Sequence, residues 1–243
     1  MRDDRGVTGV LYGVGVGPGD PGLLTLKGRD ILLRVSTVFV PAPGADKPSL
    51  AMSIVEKAGL EDLDFRRLVF PMSRDEKTLA DSWDAAAAEV CAVLGSGKDA
   101  AFITLGDPYV YSTFSYLADG VRRRLPSAKI ETVPGITTMN LAAALLNRPL
   151  VEGGERLCLL PLPEDLGEIA VLARSFDTIV LYKIAGRLRE AAAAIAGLGL
   201  SDSTAFVSRA GLPDQTVVPA LDGLPADAAG YLSVLIVKTG RRA

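Results

Sequence analysis

Short apolar runs alternate with amphipathic segments along most of this chain. Runs such as Ala100–Thr104 and Lys129–Val133 predict buried strands, and the segments between such runs carry the apolar spacing of helices. Strands separated by helices predict a largely parallel sheet in the first half. In the second half, Thr204–Ser208 and Gln215–Pro219 have no helix between them, which predicts a hairpin and therefore a mixed sheet.

Three glycine-containing turns follow predicted strands and precede predicted helices. One is Gly106-Asp107-Pro108, between the strand 100–104 and a helix predicted over Tyr111–Arg124. Ligands of open α/β sheets bind at the carboxyl ends of strands, and a glycine there lets a ligand approach the backbone closely. Ser112 and Thr113 add hydroxyls and amides where the helix starts. This turn predicts a polar small molecule lying against the backbone.

The other two turns are Gly13–Lys27 and Val133–Met139. The first follows the strand-like run Val10-Leu11-Tyr12, within a strand predicted over Gly9–Val16. It does not fit a dinucleotide fingerprint, because Pro18 and Asp20 stand where a glycine is needed. Its prolines delay the helix, which is predicted over Leu23–Arg34, so no helix start is aimed at a pyrophosphate. A nicotinamide dehydrogenase is therefore a weak alternative.

Together, the three turns resemble the GxGPGDPxLLTLK, GDPxxY/F and VPGxTS loops of the tetrapyrrole methyltransferases that use S-adenosylmethionine. The resemblance runs from about Val7 to Val237, and the continuation Tyr111-Ser112-Thr113-Phe114 is most like the precorrin-2 C20-methyltransferases. It implies two α/β domains, residues 7–134 and 135–243. Their sheets would be mixed and mostly parallel, with a cofactor cleft between the domains and the tetrapyrrole on the side of the first.

The implied reaction moves a methyl group from S-adenosylmethionine, which leaves as S-adenosylhomocysteine, to C20 of a cobalamin-pathway tetrapyrrole. The substrate would be precorrin-2, giving precorrin-3A, or cobalt-factor II, giving cobalt-factor III. Alternatives within the family are methylation of uroporphyrinogen III, of a later precorrin or of ribosomal RNA. A tetrapyrrole carrier without catalytic activity is an alternative of another class, since it would bind the macrocycle and show no affinity for S-adenosylmethionine.

The resemblance also implies the site residues. The predicted cofactor contacts are Gly106, Asp107, Val110, Ser112 and Thr113, with Tyr182, Ile184 and Ala210 beside the adenine. Pro18, Asp20 and Arg74 are the predicted substrate contacts, and Tyr111 and Asp107 are the candidate catalytic residues. Simpler interpretations stay open: the glycines can be turn residues, Asp107 can cap its own turn, and Tyr111, Tyr182 and Ile184 can be packing residues. Leu212 replaces a threonine of the family pattern, and Thr138 stands where serine is frequent.

The amino-acid composition limits which catalytic and metal-binding chemistry the chain can have. The 243 residues include no histidine, which removes the commonest general base and the commonest transition-metal ligand, and no metal site is predicted. Methyl transfer from a sulfonium does not need a histidine, because the enzyme mainly has to align the nucleophile, the methyl carbon and the sulfur in a pocket without water. A net charge of −3 disfavours a nucleic-acid surface. The two cysteines, Cys91 and Cys158, are expected to be buried and inert. We expect a cytoplasmic protein without a membrane span, and the resemblance implies a homodimer.

Overall fold

The computed structural model describes residues 8–42, 44, 48–71, 73 and 75–240. Backbone contacts divide the chain after Thr137 into two units. In the described residues, each unit contains one five-stranded sheet covered by helices. The predicted α/β fold class is confirmed.

The sheet of the first unit has the strand order β3-β2-β4-β1-β5, and its neighbouring strands pair in parallel. The strands are β1 (Val10–Gly15), β2 (Thr37–Ala42), β3 (Phe65–Val69), β4 (Ala100–Thr104) and β5 (Lys129–Val133). The helices are α1 (Leu26–Leu32), α2 (Leu50–Lys57), α3 (Glu76–Gly95) and α4 (Phe114–Arg124). Parallel strands need such crossovers, and the helices on both faces bury β1, β2 and β4 almost completely.

The strand order brings the three glycine turns together. β1 lies between β4 and β5, with Gly15 opposite Thr104 and Val14 opposite Val133. Because these strands are parallel, the turns that follow them leave the same edge of the sheet side by side. This edge is the carboxyl edge, where ligands bind in open α/β sheets.

Each face of the first sheet has its own core. On one face, Phe39 and Phe102 pack with Phe114 of α4 and with residues of α3. On the other, Val14 and Ile103 pack with α1 and α2. Burying a side chain of this size stabilises the fold by about 1.5–3 kcal/mol. The two cores fix where the helices, and therefore the turns before them, lie on the sheet.

Two helices of the first unit begin three residues later than predicted. The helix predicted from Leu23 begins at Leu26, because Pro21–Leu23 forms a separate 3-10 turn and Thr25 caps α1 by accepting a 3.0 Å hydrogen bond from Gly28 N–H. The helix predicted from Tyr111 begins at Phe114. Tyr111 has φ of +52°, a left-handed conformation that an α-helix excludes.

The second unit has the strand order β6-β7-β10-β8-β9. Its elements are α5 (Thr138–Leu146), β6 (Leu157–Pro161), α6 (Gly167–Ala173), β7 (Thr178–Tyr182), α7 (Leu188–Gly197), β8 (Thr204–Ser208), β9 (Thr216–Val218) and β10 (Ser233–Lys238). β6 and β7 are parallel, and the other pairs are antiparallel, so the predicted hairpin and mixed sheet are confirmed. β7 and β8 run against β10, and the loops after them share an edge with the start of β10.

The two cysteines are half-buried free thiols on α3 and β6. Burial raises the pKa of the Cys91 and Cys158 thiols, which keeps them protonated and unreactive near neutral pH. Within the ranges described, no helix has the length and apolar character to cross a membrane. The same part of the chain holds no cluster of three or more Cys, Asp or Glu suited to a metal ion.

A pH-dependent ion pair joins α3 to α4. Arg124 Nε donates a 2.8 Å hydrogen bond to Asp84, and this guanidinium lowers the pKa of the Asp84 carboxyl below its ordinary value of 3.8. The pair therefore stabilises the fold above the unfolded-state pKa, and the contribution is lost as the pH falls through the lower folded-state pKa. We expect Asp84→Asn to lower the urea midpoint slightly near neutral pH, and the deficit to disappear as the pH falls through the lowered folded-state pKa of Asp84. An equal deficit near neutral pH and below that pKa would contradict this role.

Candidate functional site

The three turns touch through the backbones of three glycines. An alanine Cβ at Gly135 would lie 2.0 Å from the Gly106 carbonyl oxygen. A Cβ at Gly15 would lie 2.5 Å from the same oxygen and 2.6 Å from the Gly135 nitrogen. All three distances are far below van der Waals contact, so a side chain at either position would push the turns apart. Gly15 and Gly135 are therefore needed because they let these backbones approach each other closely.

Gly17 and Gly106 form a two-residue bridge between the first and second turns. Gly106 N–H donates to the Gly17 carbonyl at 2.8 Å, and Gly17 N–H donates in return at 3.4 Å. Both residues have positive φ, +83° for Gly17 and +69° for Gly106, which glycine adopts without steric cost. The bridge fixes the second turn against the first at the carboxyl edge of the sheet.

Gly13 leaves space for the Phe114 ring at the start of α4. The Phe114 ring lies where a Gly13 side chain would be, with its Cζ atom 2.2 Å from the Cβ position. Phe114 is fully buried and stacks on Phe102, with 6.0 Å between ring centroids. Since Phe114 is the first residue of α4, its docking on the sheet sets where the preceding loop must run.

The Asp107 carboxylate ties the second turn to the third. Its Oδ1 accepts a 2.8 Å hydrogen bond from Tyr109 N–H, which closes the turn in which Asp107 lies. Its Oδ2 accepts a 3.0 Å hydrogen bond from Gly135 N–H in the third turn. Hydrogen bonds to a charged acceptor are stronger than neutral ones, so one carboxylate both caps its own turn and holds its neighbour.

Ser112 folds the end of the loop back towards β4. Its hydroxyl lies 2.9 Å from the Thr104 hydroxyl and accepts a 3.1 Å hydrogen bond from Phe114 N–H. Thr113 is the N-cap residue of α4. The loop from Gly106 to Thr113 is thus fixed at both ends by short polar contacts, and Val110 lies within it, with its N–H 3.4 Å from the Asp107 carbonyl.

Two tyrosines of this loop are exposed. The Tyr111 side chain is 46% exposed, on a left-handed backbone that is costly for a residue with a Cβ. Such strain clusters at ligand sites, where the surrounding structure enforces it. The Tyr109 side chain is 59% exposed, and its hydroxyl accepts a 3.3 Å hydrogen bond from Thr132. Sequence reasoning singled out Tyr111 and missed Tyr109, whose only signal was its place in the same turn.

The predicted substrate contacts separate into two groups. Pro18 is buried in the first turn, and Asp20 is exposed and starts the 3-10 turn by accepting a 2.8 Å hydrogen bond from Gly22 N–H. Both lie in the loop that leaves β1, beside the other two turns. Arg74 lies outside the residues that the structure describes.

The residues predicted beside the adenine follow β7 and β8 in the second unit. The Tyr182 hydroxyl accepts a 2.9 Å hydrogen bond from Met139 N–H. The Ile184 side chain is fully buried in the core of this unit, and Ala210 is only 2% exposed. Neither side chain is exposed at this edge of the sheet.

Left-handed residues other than glycine lie in the two loops that carry these residues, Lys183 (φ +56°) and Arg209 (φ +52°), and directly before β10, Leu232 (φ +52°). All three belong to the edge of the sheet where β7 and β8 end and β10 begins. Arg209 N–H donates to the Leu232 carbonyl at 2.8 Å, and a Cβ at Gly230 would lie 2.6 Å from the Ile184 carbonyl oxygen. Strain concentrated at one edge is typical of a ligand site.

Comparison with known proteins decides the family. The model of the tetrapyrrole (corrin/porphyrin) methylases matches residues 10–223. The chain belongs to this family. Among relatives, it is 41% identical over 173 residues to the probable cobalt-precorrin-2 C(20)-methyltransferase of Methanocaldococcus jannaschii, covering 71% of each chain. It is 30% identical to the precorrin-2 C(20)-methyltransferase of a Sinorhizobium species, over 94% of this chain and 95% of that protein.

The fold of this tetrapyrrole methylase is also found in solved structures. The uroporphyrin-III C-methyltransferase of Thermus thermophilus, in complex with S-adenosylhomocysteine, superposes with a TM-score of 0.63. The alignment covers 95% of this chain and 97% of that one at 22% identity. At this identity the comparison establishes the shared fold.

Proposed function

We propose that this tetrapyrrole methylase transfers a methyl group from S-adenosylmethionine to C20 of precorrin-2 or of cobalt-factor II. The observation that carries the proposal is the 41% identity to a probable cobalt-precorrin-2 C(20)-methyltransferase. The alignment covers 71% of the length of that protein. The lower-identity relative from Sinorhizobium is named for the metal-free substrate, so the names support both forms.

The loops fit the cofactor because they present backbone and few side chains. In this proposal, Gly106, Asp107, Val110, Ser112 and Thr113 hold the amino-acid half of S-adenosylmethionine. The backbone near Tyr182, Ile184 and Ala210 binds the adenine. Loops with glycines and strained backbone suit a ligand that has many hydrogen-bonding groups. The close backbone contacts of Gly15, Gly106 and Gly135 make this side of the proposed site rigid.

S-adenosylmethionine supplies a methyl group on a positively charged sulfonium. The task left to this chain is to hold the tetrapyrrole carbon in line with that methyl and to exclude water. A chain without histidine can do this, because the electron-rich macrocycle is itself the nucleophile. We propose that the exposed Tyr111 phenol hydrogen-bonds the substrate and that Asp107 acts through the loops it joins.

On the substrate side we propose Pro18 and Asp20 as part of the floor and Arg74 as a carboxylate contact. Arginine binds carboxylates in a bidentate fashion, and tetrapyrroles of this pathway carry several acetate and propionate groups. The resemblance to the family also supports a cytoplasmic protein and a homodimer, and sedimentation of the purified protein would test the dimer.

The experiment is a paired turnover assay. Purified protein and isotopically labelled S-adenosylmethionine are incubated with precorrin-2 or with cobalt-factor II, and mass spectrometry counts the methyl groups added. We expect one added methyl group, with the faster substrate identifying the pathway branch. Cofactor binding without transfer to either substrate would point to another substrate of the family. Tetrapyrrole binding without cofactor binding would support the carrier and contradict the enzyme.

A further inference from the structure

The loop after β8 is held by an ion pair that the proposed function does not use. Arg209 follows the last residue of β8, and its guanidinium Nε pairs with the carboxylate of Asp214. The Arg209 side chain is 33% exposed, so it lies largely against the protein. Its backbone N–H donates to the Leu232 carbonyl at 2.8 Å, which attaches the start of the loop to the strand β10 region.

The same loop is closed a second time by Gln215. The Gln215 Oε1 atom accepts a 2.8 Å hydrogen bond from Gly211 N–H, and Gln215 N–H donates to the Leu212 carbonyl at 3.0 Å. Leu212 N–H in turn donates to the Arg209 carbonyl at 2.9 Å. Residues 209–215, which include Ala210, are therefore closed on themselves by these contacts.

Arg209 is an unusual residue for its backbone conformation. Its φ of +52° favours glycine, and a residue with a Cβ stays there only when the surrounding contacts enforce it. The next glycine, Gly211, also has positive φ, at +79°. Arginine at position 209 is less favourable than glycine for this backbone conformation. Its side chain, however, forms the ion pair with Asp214, which glycine could not form.

We propose that Arg209 and Asp214 are a pair of positioning residues that hold the Ala210 backbone in the conformation that binds the adenosine half of the cofactor. The inference rests on the proposed function, because that function places the adenine beside Ala210. Neither side chain takes part in the methyl transfer. The pair sets the affinity for the cofactor and leaves the chemical step and the tetrapyrrole contacts unchanged.

The test compares Asp214→Asn with the wild-type protein. The substitution keeps the shape of the side chain and removes its charge, so the ion pair is lost without a cavity. We expect the Kd for S-adenosylhomocysteine by calorimetry, and the KM for S-adenosylmethionine, to rise about fivefold. The kcat at saturating cofactor and the KM for the tetrapyrrole should stay at wild-type values, a split that a general loss of stability would not produce.

Glu190→Gln is the matched control. Glu190 of α7 pairs with Arg187, the N-cap residue of the same helix. The side-chain exposures of Arg187 and Glu190, 34% and 60%, are nearly those of Arg209 and Asp214, 33% and 60%. This control variant should bind the cofactor with wild-type affinity. Equal weakening in both variants would mean that surface charge acts generally, and would overturn the specific role of Asp214.

Arg209→Gly separates the ion pair from the backbone strain. Glycine relieves the strain at φ +52° but has no guanidinium, so we expect the same rise in cofactor KM as in Asp214→Asn. The double variant should be no weaker than either single one, because both remove one interaction. Wild-type affinity in Asp214→Asn or Arg209→Gly, with normal wild-type turnover, would overturn this inference alone. A wild-type protein that binds no cofactor would overturn the proposed function and this inference with it.

Discussion

Replacing Gly135 by alanine should abolish measurable cofactor binding and methyl transfer. The new methyl group would lie 2.0 Å from the Gly106 carbonyl oxygen, and both partners are backbone, so no side chain can turn away. The third turn must then move, which also breaks the hydrogen bond from Gly135 N–H to Asp107. Overpacking of this kind costs about 1–3 kcal/mol of stability. Urea denaturation and calorimetry with S-adenosylhomocysteine measure the two effects.

Gly154→Ala is the control for this prediction. A Cβ at Gly154 meets nothing within 4 Å, and its φ is not positive, so the same chemical change should leave stability and binding at wild-type values. Retained cofactor affinity in Gly135→Ala would show that the close contact of the three turns is dispensable. That result would remove the structural basis for placing the cofactor at this edge.

The second large effect is expected from Asp107→Asn. The two carboxylate oxygens accept from two backbone donors, Tyr109 N–H and Gly135 N–H. An amide has one oxygen, so one of these donors would face an NH2 group. Leaving a donor without its charged acceptor costs about 1–3 kcal/mol, and we expect the KM for S-adenosylmethionine to rise about tenfold or more.

Kinetics of this variant also distinguish a structural from a catalytic carboxylate. If Asp107 joins the turns, the kcat at saturating cofactor and its pH profile should stay close to wild type while KM rises. If Asp107 is the proton acceptor, kcat itself should collapse and the acid limb of the pH profile should disappear. Asp165→Asn is the control, because Asp165 closes a turn through one 2.8 Å hydrogen bond from Gly167 N–H and should tolerate the change.

Much of the fold could be predicted because most strands are short runs rich in apolar and β-branched residues. The ranges Ala100–Thr104, Lys129–Val133 and Thr204–Ser208 agree with the predicted strands to the residue. The helix starts were harder to predict from the sequence, because several turn conformations compete at each of them. Pro21 begins a 3-10 turn that periodicity does not reveal, and the left-handed Tyr111 delays α4 to Phe114.

The arrangement of the site could be predicted only in part. The motifs placed each turn after a strand, but strand order is a long-range property, and the position of β1 between β4 and β5 is what brings the turns together. The second bond of Asp107, to Gly135, joins residues 28 positions apart and has no sequence signal. The role of Gly13 under the Phe114 ring is hidden for the same reason.

The most direct test of C20 methylation is the position of the transferred carbon. The protein is incubated with its tetrapyrrole and S-adenosylmethionine labelled with carbon-13 at the methyl group, and the product is examined by NMR. The account predicts one labelled methyl group, bonded to the C20 meso carbon. A label at any other carbon would contradict the proposed reaction, while the assignment of the chain to the tetrapyrrole methylase family would stand.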